Sequence, residues 1–131
     1  CRASVKRLAA AIRKYKASHP SARIVAVLHW GTEFQPIPDM QQRYDAHLLV
    51  QAGADAIIGH HPHVVQLPWI HQSRPVFYSL GNFVFDQSHP DCRKASMALL
   101  RFKASEVQAR AIPVEIRQCR PQISRKQHEN R

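Results

Sequence analysis

Ala56-Ile57-Ile58-Gly59-His60-His61-Pro62-His63 is the stretch on which the reading of this chain turns. A short apolar run meets three imidazoles packed into four residues. A continuous apolar run without alternation reads as a strand buried on both faces, as in a parallel sheet. The same arrangement occurs upstream, where Ile24-Val25-Ala26-Val27-Leu28 runs into His29-Trp30-Gly31-Thr32-Glu33. Open α/β sheets build their sites beyond the carboxyl ends of their strands. Two such strands lying parallel and adjacent, about 4.8 Å apart, would bring their terminal histidines together.

The residues between the two runs supply the connection. Pro36 and Pro38 stiffen a loop, and Asp39 can cap a helix from Met40 to Ala52. Met40, Tyr44, Leu48 and Leu49 are its expected inward face, with Gly53 ending it as the residue beyond the cap. Strand, loop, helix, strand is a βαβ crossover. Upstream, Val5, Leu8, Ala9, Ile12 and Tyr15 recur at helical spacing behind a Ser4 cap, and Ser18-His19-Pro20 ends that helix. A helix feeding a buried strand is the later part of another βαβ unit, so a strand is expected before it. With Cys1 rather than Met at its start, the sequence reads as a piece of a longer protein.

Beyond Gln66 the texture becomes β-rich. Pro68, Trp69, His71 and Ser73 read as a turn region. Arg74 to Leu80 reads as a strand that Gly81-Asn82 interrupts, and Phe83-Val84-Phe85-Asp86 as its continuation. Gln87 to Lys94 is a polar loop. Ala95–Phe102 and Val107–Ile116 read as antiparallel strands joined through Lys103 to Glu106. From Arg117 the chain is polar without periodicity. The expected organisation is one domain over 1–116 and a disordered basic tail over 117–131.

Composition agrees with a single folded domain. The chain has 131 residues, 44% of them hydrophobic, which suits one packed core. No apolar run approaches the ~20 residues that span a bilayer. Nineteen Lys and Arg against nine Asp and Glu give +10, a balance that attracts anionic partners and equally fits a solvated surface. The basic residues gather near the two ends and are not interleaved with stacking aromatics, which argues against nucleic acid. Cys1, Cys92 and Cys119 are odd in number and contain no CxxC, so neither a zinc ribbon nor a disulfide framework is indicated.

The histidines carry the chemistry. His61-Pro62-His63 can aim two rings at one point on a stiff segment, or His60 can take the place of His61. Imidazole suits zinc, manganese and iron. Glu33 can bind metal, orient an imidazole or accept a proton, or it can be a plain solvated loop carboxylate. Asn82 can place an amide near the site. Asp86 can be an acid, a ligand or a cap.

Three ordered blocks then carry a family resemblance: His29-Trp30-Gly31-Thr32-Glu33-Phe34 with Pro36 and Gln41; Gly53 through Gln66; and Pro75 through Asp86. Together they resemble the CapA family of bacterial capsule or poly-γ-glutamate synthesis proteins, from about residue 5 to about residue 115. That family is related to the calcineurin-like metallophosphoesterases. The resemblance implies a four-layer αββα sandwich, with βαβ units first and an antiparallel β-rich second half, around a site for two divalent ions (Mn, Fe or Zn). It implies His29, His61 and His63 as metal ligands. His60, Glu33 and Asn82 are the candidate catalytic groups. The implied function is capsule or poly-γ-glutamate biosynthesis, with metal-dependent hydrolysis of a phosphoester or of the polymer. The alternative is a non-catalytic assembly or export factor that binds an anionic capsule polymer. Implied partners are that polymer and capsule-synthesis membrane proteins, and the implied location is the cell envelope. The family's early blocks, a Gly-Asp after the first strand and an Asn-His segment, have no match here. The chain is thus expected to be the carboxyl-terminal half of such a domain and inactive alone.

Overall fold

The computed structural model describes residues 2–87, 89–104 and 106–124, with Arg2 and Ala3 described by backbone only. Helix α1 spans Arg2–Ser18 and leads into strand β1, Val25–His29. Helix α2, Met40–Gln51, returns the chain to strand β2, Ala56–His60. β1 and β2 pair in parallel from Val25↔Ala56 to His29↔His60, as the βαβ reading expects. Strand β3 is Val65–Gln66, β4 is Trp69–His71 and β5 is Arg74–Phe77. β5 joins β2 in parallel and β4 pairs antiparallel with β5, giving the order β1-β2-β5-β4. The stretch read as a turn region is therefore a hairpin, turned at Gln72 and Ser73, both of positive φ.

At Tyr78 the chain leaves this sheet. Strand β6, Ser79–Leu80, pairs antiparallel with β3. Arg74 to Leu80 is thus two strands in two sheets. Phe83-Val84-Phe85 does not resume as a strand and is exposed. A 3₁₀ turn over Pro90–Arg93 interrupts the polar loop. Strands β7, Lys94–Phe102, and β8, Val107–Arg117, form the expected hairpin. Strand β9, Arg120–Ile123, pairs with β8 through a turn at Gln118 and Cys119. The first part of the expected loose tail is therefore β structure, because its backbone finds a partner edge on β8 that periodicity alone does not reveal. The rest of that tail, 125–131, lies outside the described residues.

Both helices cover one face of the first sheet. Val5, Ala9 and Ile12 of α1 and Ala46, Leu49 and Val50 of α2 pack on Ala26, Ile57 and Val76, which are register neighbours. α2 buries a face that shares only Leu49 with the expected one: Gln42, Asp45, Ala46, Leu49 and Val50 point inward, while Met40 is 80% exposed. Hydrogen-bonded polar side chains can be buried, and an apolar count overlooks them. Asp39 caps α2 in a capping box with Gln42, and Gly53 follows at φ 108°. β1 departs from expectation too. As the terminal strand it leaves Val27 64% exposed, since nothing among the described residues covers that side.

Opposite the carboxyl ends of the strands, Asp55 fastens the structure. Its buried carboxylate accepts from Lys16 Nζ at 2.9 Å and the Ile24 N–H at 2.9 Å. Arg23 and Arg74 stand 3.2 and 3.3 Å away. Arg23 also donates to the carbonyls of Lys103 and Ala104, tying the β7–β8 hairpin to the first sheet. Among the described residues no helix is long and apolar enough to cross a membrane.

Candidate metal centre

His29 and His60 end adjacent parallel strands as register partners, so pairing alone puts both at one point. The Trp30 N–H continues the ladder by donating to His60 O at 3.0 Å. The chain then turns sharply, with φ 104° at His61 and 61° at His63. Left-handed backbone at residues other than glycine costs of order 1–3 kcal/mol and persists where the surroundings enforce it. Here Phe34, itself at φ 61°, donates its N–H to Pro62 O at 2.8 Å, holding the Glu33 loop over the histidine turn.

Glu33, His61 and His63 each offer a ligand atom, and these atoms all lie within 4.8 Å of one another. The histidines are half-buried and Glu33 is exposed. The His29 ring lies 4.5 Å from that of His61, beside this trio rather than in it. His60 lines the same cavity. Burial, and then the nearby His29, push its pKa down, so its neutral ring is favoured. The cavity has a volume of about 460 Å³. Phe83, Phe85 and Met97 form part of its wall.

Asn82 is buried and touches the trio through His63. Its Nδ2 donates to Cys92 O at 3.2 Å and to Gln87 Oε1 at 2.9 Å. A backbone carbonyl can only accept, which fixes the amide and turns its oxygen toward His63, 2.7 Å from Nδ1. His63 Nδ1 must then carry the proton, leaving the Nε2 lone pair outward. A ring nitrogen fixed this way on one side is the usual support of a metal-binding imidazole on the other. The donor set, two imidazoles and a carboxylate, fits Zn and Fe through the rings and Mn through the carboxylate.

Further residues place the site without touching it. The indole of Trp30 donates to Tyr78 O at 2.9 Å directly across Gly59. A Cβ on Gly59 would overlap both the Trp30 nitrogen and the Tyr78 carbonyl. Gly31, at φ 83°, lies so close to Gln42 that a Cβ would stand 2.7 Å from its amide. Gln42 Nε2 donates to Gln66 Oε1 at 3.0 Å, and Gln66 Nε2 to Gln35 O at 2.9 Å. This buried glutamine pair pins the loop that carries Glu33. The sequence reading did not identify it; its one visible trace is Gln42 three residues after the Asp39 cap.

Comparison with known proteins agrees with the motif reading. Residues 2–87 match the family model described as bacterial capsule synthesis protein PGA_cap. The chain is 36% identical over 99 residues to the PGA biosynthesis protein CapA of Bacillus subtilis (strain 168), covering 75% of this chain and 26% of that protein. It is 50% identical over 64 residues to the capsule biosynthesis protein CapA of Bacillus anthracis, covering 49% of this chain and 16% of that protein. The matched region is thus about a quarter or less of either relative. With its family match extending over more than half its length, the chain belongs to the bacterial capsule synthesis protein family PGA_cap.

Proposed function

We propose that this chain contributes the histidine half of a divalent-metal hydrolytic centre in a capsule or poly-γ-glutamate biosynthesis protein. The observation that carries the reading is the convergence of Glu33, His61 and His63 within 4.8 Å at the carboxyl ends of parallel strands. Glu33 supplies negative charge and the two imidazoles supply neutral donors. Asn82 holds His63 in the tautomer that leaves Nε2 available. His29 and the neutral His60 stand in the same cavity, placed to hydrogen-bond an anionic group. When bound, a metal ion of this class lowers the pKa of a water and withdraws charge from a phosphoryl or carbonyl oxygen. The whole domain, in this reading, is a four-layer αββα sandwich holding two ions, and the remaining ligands come from outside this chain.

The test uses the full-length protein. Elemental analysis should find Mn, Fe or Zn, and His63→Ala should remove it together with polymer production while the circular dichroism spectrum is kept. If metal is absent and chelators change nothing, the hydrolytic reading fails. The net charge of +10 favours one second reading, a non-catalytic factor that binds an anionic capsule polymer. Undiminished polymer production by His63→Ala would favour it.

A further inference from the structure

A second concavity is walled by the loop that carries Glu33. The loop from Gly31 to Pro38 carries Glu33 toward the histidines, and its other end, Pro36-Ile37-Pro38, walls a groove of about 430 Å³. Leu67 and Trp69 form another part of the wall, and Tyr78 also lines it. The groove is joined to the site by the Trp30–Tyr78 hydrogen bond as well as by the loop. Its polar groups have one character. Arg43 and His71 line it, and among the described residues no carboxylate does. Arg43 Nε donates to Pro38 O at 3.2 Å, which seats the guanidinium at the wall. His71 Nε2 lies 3.0 Å from Nδ1 of His47 on α2, which fixes that ring at the rim. Trp69 is 65% exposed, and Ile37 and Leu67 are exposed with it.

We infer that this groove binds a carboxylate-bearing polyamide strand, the part of the capsule polymer that flanks the segment at the histidines. The inference rests on the polymer reading above. A γ-linked glutamate chain alternates methylene pairs with carboxylates. The methylenes match Trp69, Leu67 and the prolines, while the carboxylates match Arg43, whose planar fork can take one bidentately. A wholly apolar occupant would bury the guanidinium without a partner, which is costly. A purely ionic occupant would leave the apolar walls uncovered.

The experiment is binding of a poly-γ-glutamate oligomer to the full-length protein, read by calorimetry and by Trp69 fluorescence with Trp69→Phe as the assignment control. Arg43→Gln and Trp69→Ala are each expected to weaken binding about tenfold. Both residues are exposed, so the variants keep the fold. Arg43→Lys, which keeps the charge without the planar fork, should recover part of the loss. Binding by the native protein that neither Arg43→Gln nor Trp69→Ala weakens overturns the groove and leaves the polymer reading standing. No binding by the native protein overturns both. Tighter binding of an uncharged apolar peptide of equal length would assign the groove to a protein segment and overturn the inference.

Discussion

The Nδ1 atom of His63 lies 2.7 Å from Oδ1 of Asn82, an amide whose orientation is set by donation to the Cys92 carbonyl. That contact joins the histidine turn to the chain two residues beyond β6, and it decides which nitrogen of His63 is left to bind. Asn82→Leu is expected to lower metal affinity of the full-length protein about 10- to 100-fold, the usual cost of losing such a support. Asn82→Asp still accepts from Nδ1 but sets its second oxygen against the Cys92 and Gln87 oxygens, so it should lose less affinity than Asn82→Leu while falling short of native. Zinc or manganese titration of the two variants checks this, and equal losses in both would count against the tautomer argument.

Asp55 concerns stability rather than binding. Burial alone would push its carboxyl up, but the Ile24 N–H, Lys16 and Arg23 more than offset this and hold it below the ordinary carboxylate value. A carboxyl depressed on folding adds stability that is fully present above the unfolded pKa of about 3.9 and is lost as pH falls toward the lower folded value. Asp55→Asn should destabilise by about 3 kcal/mol, the low end for a broken buried pair, because Lys16, Arg23 and Arg74 stay partly solvated. Urea unfolding at pH 7 and pH 3 tests both statements: the difference between native and variant should shrink at the lower pH.

Gly59 is required by contact rather than by conformation. Gly59→Ala would force the Trp30–Tyr78 hydrogen bond apart, and a loss of about 3 kcal/mol is expected from overpacking plus the broken bond. A thermal melt of the variant, with near-ultraviolet circular dichroism reporting on Trp30, measures it. A melting temperature close to the native one would show that β2 and Tyr78 can separate without penalty.

Gln42 and Gln66 form a buried pair, so removing one strands the other. Gln42→Leu or Gln66→Leu alone should cost about 1–3 kcal/mol. The double change should cost less than the sum of the two, with a coupling of about 1 kcal/mol or more. Denaturation of all four proteins closes the cycle. Additive losses would mean that the two amides do not act as a unit in holding the Glu33 loop.

Much of the frame was legible because it is local or periodic. The β1–α2–β2 crossover followed from two apolar runs, an Asp39 cap and a Gly53 stop. The β7–β8 hairpin followed from two long β-rich runs around a short turn. Apart from Leu49, the inward face of α2 was misread because Gln42 is buried through Gln66, remote in sequence, and Asp45 beside Gln41 on its own helix, and hydrophobic spacing registers neither. The split of Arg74 to Leu80 was hidden for a related reason. β5 and β6 differ in the strands they pair with, not in composition.

By itself the sequence determined the family, the α/β class and the residue types available to a metal, since these reside in short ordered motifs and in side-chain chemistry. Tertiary structure alone decided that Glu33 joins His61 and His63 in one close trio while the neighbouring His29 stays outside it, and that Asn82 fixes a tautomer. Those relations depend on backbone turns and hydrogen bonds between segments well apart in sequence, such as Asn82 to His63 at 19 residues and Gln66 to Gln35 at 31. Geometry of that kind arises only when the packed chain sets the distances.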